Sequence, residues 1–512
     1  MLFNFYKLMK KLFFLLCFAQ CFFNLQAQKH DYVWKNAYDI NIFGHPYVKS
    51  PILTIDFNYS PPVLTIDSTL YPIRFTLSSM SDSSGNFLYY CNGNKVIDEN
   101  NNIMTNGDSI NFGAFSRLNP LVISGYGVID GVISLQNPGN HNLYDIFHIK
   151  IDSYPEPYAN PHQLLHTRVD MSLNAGLGAV VFKNKLLIED SLTRGQLQAV
   201  KHSNGIDWWI LVSEQNTNGY YSLLLKSDTL EGPFYQQVGR DIYSWPGYGQ
   251  ACFSPDGTKY ARVEDDLDLY DFDRCTGELC NHRYVQIDGF FEQPNDIGQG
   301  GCSFSPSGRF IYVTQGYHLF QIDLWANNLD SAIHTIDIIN PNDDPDSGYF
   351  SCRLAPDNKI YINGSFDSAW SVINAPDNFG TACNAVRRGF NIGIFDCAAL
   401  PNFPHYRMPA QDSCPPCGTF AAVPQLELSE LTSIKVYPNP AYNGSFNISI
   451  QENVAYDIQI HDLFGRLLLQ EAWDNAGSEK EIQLPLGAKG VYFVSVWKEG
   501  KLIGGEKLVV LE

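Results

Sequence analysis

Three stretches of this chain repeat one another at a nearly constant interval, and that interval limits the fold more than any other feature. Cys252-Phe253-Ser254-Pro255-Asp256-Gly257-Thr258-Lys259-Tyr260-Ala261 lines up with Ser303-Phe304-Ser305-Pro306-Ser307-Gly308-Arg309-Phe310-Ile311-Tyr312 and with Arg353-Leu354-Ala355-Pro356-Asp357-Asn358-Lys359-Ile360-Tyr361-Ile362. Their turn residues Gly257, Gly308 and Asn358 are 51 and 50 positions apart. Each copy reads as an apolar strand, a tight turn whose Gly or Asn tolerates positive φ, and a second apolar strand. Weaker copies precede them at Gly85, Gly139 and Gly205, spaced 54, 66 and 52.

A hairpin recurring every fifty residues marks one four-stranded sheet per repeat, and such a sheet buries both faces only by stacking on its neighbours round an axis. The expected fold is all-β, a β-propeller over residues 28–410. Six visible turns predict six blades. Seven is the alternative, with the extra blade assembled from the less regular ends, His30 to Leu70 and Thr381 to Arg407. Composition agrees: 17% charged residues, 40 Gly, 28 Pro and 14% aromatics suit short strands joined by turns.

The two termini carry addresses rather than blades. Lys7, Lys10 and Lys11, the apolar run Leu12 to Phe23 and the small Ala27 form the pattern of a secretory signal peptide over 1–27. That run is shorter than the ~20 residues of a membrane span, and no other transmembrane segment is expected. Residues 411–430 read as a Cys/Pro linker, and 431–512 as a small Ig-like antiparallel sandwich of short alternating strands. With 34 Lys+Arg against 54 Asp+Glu the net charge is −20, which excludes nucleic acid as an expected partner.

Within the last segment, Val436-Tyr437-Pro438-Asn439-Pro440, Asp462-Leu463-Phe464-Gly465-Arg466 and Lys489-Gly490-Val491-Tyr492-Phe493-Val494 resemble the type A C-terminal sorting domain of the Bacteroidota type IX secretion system. The motif residues are Pro438, Asn439, Pro440, Asp462, Gly465, Arg466, Gly490 and Tyr492. The resemblance implies passage to the periplasm, recognition of the folded tail by the outer-membrane secretion machinery, and surface attachment or release. The repeats resemble WD40-like propellers whose copies read F-S-P-D-G. More narrowly, Ala199 to Trp209, Asp271 to Leu279 and Leu400-Pro401-Asn402-Phe403-Pro404-His405-Tyr406-Arg407 are similar to secreted Bacteroidota propellers that carry such a tail. No activity comes with that likeness.

Ten cysteines remain after the signal peptide, in a compartment where disulfides form. Cys275 and Cys280 bracket Thr-Gly-Glu-Leu and are disulfide candidates, as are Cys414 and Cys417 in the linker. Cys302 and Cys352 share one register of neighbouring blades, which does not by itself bring them into bonding range. No cofactor or metal site is expected. His162 and His166, four apart, are read as surface or loop residues rather than metal ligands, because Leu164 to Met171 reads as a strand; the acidic stretches Glu264 to Asp268 and Asn342 to Gly348, the only Ca²⁺ candidates, read as solvated loops.

No nucleophile elbow, zinc-protease helix or phosphate loop occurs. The expected function is therefore a secreted or surface-displayed binding protein for an unknown extracellular protein or glycan. The alternative is an extracellular hydrolase or lyase with its site in the channel. Lys201, His202, Arg353 and His405 are the polar candidates for either.

Overall fold

A computed structural model describes residues 28–37, 49–118, 125–151, 161–242, 249–264, 266–287, 300–326, 328–340, 348–364, 367–396, 400–411, 434–450, 456–462, 467–473, 479–484, 489–498 and 501–511. The chain divides into two compact units, residues 1–418 and 419–512.

Seven separate sheets make up the first unit, each built from strands consecutive in the chain. Blade 1 comprises Val33–Ala37, Ser50–Asp56 and Val63–Thr69, and blade 2 comprises Ser78–Ser81, Phe87–Cys91 and Val96–Asp98. Blades 3 to 7 are four-stranded and start at Val132–Asn137, Gln198–Lys201, Ala251–Phe253, Gly300–Phe304 and Cys352–Leu354. First strands of successive blades lie side by side, so they form the hub. The β-propeller is thus seven-bladed, not six-bladed.

The missing blade is the first, and it is not assembled from the two ends of the chain. Among the described residues, strands Val33–Ala37, Ser50–Asp56 and Val63–Thr69 pair only with one another. Thr381 to Arg407 splits: Ala385–Asn391 is the outer strand of blade 7, and 400–411 continues without a strand into the hub. Blade 1 carries no copy of the repeated turn in its sequence, its first strand ending at Ala37 and its second starting at Ser50.

Stacking explains the burial pattern. Second strands are covered on both faces, so Trp208–Ser213 and Phe310–Gln315 are buried at every position. Outer strands such as Leu230–Gln237 and Ala385–Asn391 are mostly exposed. Each large side chain packed between blades contributes ~1.5–3 kcal/mol of transfer free energy. The ring closes on Trp34 of blade 1, whose ring meets Tyr361 of blade 7 edge-on at 6.0 Å.

Among the described residues the second unit has seven strands, Ile434–Tyr442, Ser445–Ile450, Tyr456–Asp462, Leu467–Trp473, Glu479–Gln483, Gly490–Lys498 and Lys501–Leu511, hydrogen-bonded in sequence as fourth, third, sixth, seventh, first, second and fifth. The expectation of an antiparallel unit needs correction at one place. The first strand runs parallel to the last, pairing Ala441 with Val510 and Tyr442 with Leu511. Alternate residues, among them Val436, Ile448, Ile458, Ile460, Val494 and Val510, share one apolar core.

Candidate functional site

The segment after blade 7 turns into the hub and fills it. Asn402 sits fully buried at its start and holds three blades at once. Its backbone N–H donates to Leu77 O at 3.0 Å. Its amide donates to Leu197 O at 2.8 Å and Asp130 O at 3.2 Å, and its Oδ1 accepts from Gln198 Nε2 at 3.1 Å. Three of these bonds satisfy a side chain that would be costly to bury unpaired. Phe403 packs on Trp34, Tyr406 donates its hydroxyl to Ser134 O at 2.7 Å, and Arg407 pairs with Asp31 at 2.5 Å.

Beyond the hub the segment passes over the first hairpins of blades 4 and 5. Gly205 and Gly257 there both have left-handed φ, +71° and +73°, as the turn requires. A Cβ on Gly257 would lie 2.6 Å from Met408 Sδ, and one on Gly205 2.7 Å from Ala410 N. Arg274 fastens the same crossing. Its guanidinium donates to Lys201 O, Asp256 O, His202 O and Pro409 O at 2.8–3.3 Å. The three stretches that resemble secreted propellers therefore meet in one place, where the hub segment is locked in.

A second network crosses the hub beneath it. Arg353 Nη2 of blade 7 bonds Asp130 Oδ1 at 2.8 Å, and Gln250 Nε2 reaches Asp130 Oδ2 at 3.2 Å. Gln250 Oε1 in turn accepts the backbone N–H groups of Cys302 and Cys352 at 3.0 and 3.1 Å. Burial pushes the Asp130 carboxyl pKa up, against the pull of Arg353 and Gln250. A cavity of about 100 Å³ remains between the segment and blades 5 to 7, lined in part by Cys252, Cys302, Cys352, Arg353, Phe403 and His405.

Two of the four polar candidates, Arg353 and His405, thus share this cavity; Lys201 and His202 do not line it. Burial, with Arg407 nearby, lowers the His405 pKa to about 4, so the ring is neutral. Among the described residues, His405 Nδ1 and Arg353 Nε have no protein partner. Lys201 is buried at the end of the first strand of blade 4, its Nζ 4.5 Å from the Trp208 ring centroid. Burial and then Arg274 lower its pKa to about 8. His202 lies in the adjoining turn, where its Nδ1 accepts Asn204 N–H at 3.1 Å. Cys302 and Cys352 are poor nucleophiles, since burial drives their pKa values well above the usual range.

The remaining candidates fall elsewhere. Cys275 and Cys280 are both disulfide-bonded, whereas Cys414 and Cys417 lie outside the described residues. His166 is not a surface or loop residue: it is buried on strand Pro161–Asp170, bonds Asp145 at 2.6 Å and stacks on Phe147. Glu264 pairs with Arg262, and Asp268 with Arg240 and His282; residues 341–347 lie outside the described residues. Among the described residues no group of His, Cys, Asp or Glu is placed to hold a metal ion, and no helix is long and apolar enough to cross a membrane. Asp130, Gln250 and Asn402 were not among the sequence candidates. Asn402 alone had a signal, its place in the Leu400 to Arg407 motif.

In the second unit, Pro438, Asn439 and Pro440 lie on the first strand, where Asn439 Oδ1 accepts Val509 N–H at 2.9 Å from the last strand. Gly490 opens the sixth strand with φ +133°, and Tyr492 is buried two residues on. Asp462 ends the third strand; Gly465 and Arg466 lie outside the described residues. Residues 435–511 match the secretion system C-terminal sorting domain. The chain is a cargo of that secretion system, delivered to the cell surface or released.

No curated protein matches the chain. Among solved structures it is similar to a putative 6-phosphogluconolactonase from Bacteroides uniformis, at 11% identity and TM-score 0.42, over 70% of this chain and 97% of that one. A β-propeller domain from Myceliophteria thermophila matches at 11% identity and TM-score 0.36, over 64% and 96%. A streptogramin B lyase matches at 11% and 0.33, over 60% and 80%.

Proposed function

We propose that this is an extracellular binding protein that engages a glycan on the face where the repeated hairpin turns emerge, and that its channel has no catalytic role. The observation that carries this reading is the occupied hub, since Asn402, Phe403 and Tyr406 stand where a channel ligand would sit. On the hairpin face, at the junction of blades 6 and 7, Trp325 and Phe379 are 68% and 51% exposed. Arg309 lies 5.2 Å from the Trp325 ring, and His334 meets the Phe379 ring at 4.3 Å. Exposed rings flanked by donors suit a sugar, whose apolar face stacks while its hydroxyls bond the rim.

A hydrolase or lyase in the channel has less support: Arg353 and His405 face a cavity of about 100 Å³ without an activated nucleophile beside them. The wider route is part of the same reading, namely a Bacteroidota host, removal of residues 1–27, a Cys/Pro linker at 411–430, a WD40-like ancestry for the repeats, a sandwich fold for 431–512, and mutual pairing of Cys275 with Cys280. The test is a glycan array with the secreted chain beside its Trp325→Ala and Phe379→Ala variants. Loss of at least tenfold in affinity is expected for both. Binding that survives both substitutions, or activity on a hydrolase panel abolished by His405→Ala, overturns the proposal.

A further inference from the structure

Cys252 on the first strand of blade 5 and Cys302 on that of blade 6 meet inside the hub with their sulfurs 3.4 Å apart, both as thiols. The reason is a one-residue offset. Aligning the two Phe-Ser-Pro copies puts Cys252 opposite Ser303 and Cys302 opposite Ala251. Successive residues of a strand point to opposite faces, so Cys252 faces forward to the next blade while Cys302 faces back. Cys352 shares the register of Cys302, and the blade 6 residue equivalent to Cys252 is Ser303, so the same relation offers Cys352 no sulfur.

We propose that Cys252 and Cys302 become a disulfide during export, a covalent staple between blades 5 and 6, and that Cys352 stays a thiol. The sulfurs must close by about 1.4 Å to reach the ~2.05 Å of an S–S bond. One observation places the chain where this happens: the sorting domain sends it out of the cell. The oxidant is a disulfide of a periplasmic oxidoreductase. One cysteine thiolate attacks that disulfide, giving a mixed disulfide and a released donor thiolate. The second cysteine then displaces the remaining donor sulfur. Two protons and two electrons leave the pair, and the donor gains them as a dithiol. Because both cysteines are buried in the closed ring, the exchange belongs to assembly, before blades 5 and 6 pack.

The experiment uses the full chain collected from its secreting host into denaturant containing N-ethylmaleimide and no reductant, followed by proteolysis and mass mapping. A cross-linked peptide joining Cys252 to Cys302, 2 Da below the sum of its parts, is expected, with Cys352 alkylated. Alkylated Cys252 and Cys302, or a cross-link from either to Cys352, overturns the proposal. The Cys302→Ser chain gives a second readout: Cys252 must then appear fully alkylated, and protection of Cys252 by any other partner also overturns it.

Discussion

Arg353 and Asp130, 223 positions apart in the chain, form an ion pair 2.8 Å long inside the hub, with side chains 7% and 3% exposed. It joins the last blade to the chain just before blade 3, across the axis. Arg353→Met leaves the Asp130 carboxylate buried with only Gln250 on it, and breaking such a pair costs ~3–5 kcal/mol. Urea unfolding is expected to show a loss of that size, largely recovered in Arg353→Met combined with Asp130→Asn. Equal losses in the single and double variants would show that an unpaired Asp130 carboxylate is not their cause.

Asn402 holds blades 2, 3 and 4 through one side chain and its own backbone. Asn402→Ala removes the amide bonds to Asp130 O, Leu197 O and Gln198, and each buried group left unpaired costs ~1–3 kcal/mol. Amide exchange by mass spectrometry is expected to speed up across 400–411 more than in the outer strands. Unchanged protection in that segment would mean that the ring, not Asn402, seats it.

The repeated turn glycines differ in what lies above them. Gly308 has φ +71°, and a Cβ added there would meet nothing within 4 Å, so Gly308→Ala carries only the left-handed penalty, ~1 kcal/mol. Gly205→Ala adds a clash with the Ala410 backbone, and Gly257→Ala one with the side chains of Met408, whose flexible thioether yields more easily, and Val200. Thermal melts should rank Gly205→Ala below Gly257→Ala, and both below Gly308→Ala. Three equal shifts would remove the hub segment from the explanation.

Acid weakens this protein through its buried histidines. His148, fully buried between Asn111 Oδ1 at 2.7 Å and Thr167 Oγ1 at 2.8 Å, has its pKa lowered from 6.5 to about 3 by burial and then by His166. The His405 pKa is lowered to about 4. A histidine with a depressed folded pKa stabilises fully above its unfolded pKa, and that contribution disappears as pH falls toward the folded value. Stability is therefore expected to decline from pH 6.5 to pH 4, with His148 alone accounting for on the order of 3 kcal/mol. Urea midpoints across that range check it. His148→Gln should flatten the slope even though it lowers the plateau, and an unaltered slope would assign the acid sensitivity elsewhere.

What a single turn demands of its own residues was readable in the sequence. Turn chemistry at Gly85, Gly205, Gly257, Gly308 and Asn358 announces a hairpin by itself, because positive φ is a local demand, and all five adopt it at φ +92°, +71°, +73°, +71° and +63°. The export address is equally local, a set of short motifs on one small sheet. Blade 1 lacked the turn and so lacked the signal, which is why six blades were counted where seven stand. Ring closure decided the rest. Only after seven sheets meet does Asp130 face Arg353, does Cys252 oppose Cys302, and does the Leu400 to Arg407 motif find the hub it fills. Such contacts join residues up to hundreds of positions apart, and no spacing along the strand reports which faces a closed ring will bring together.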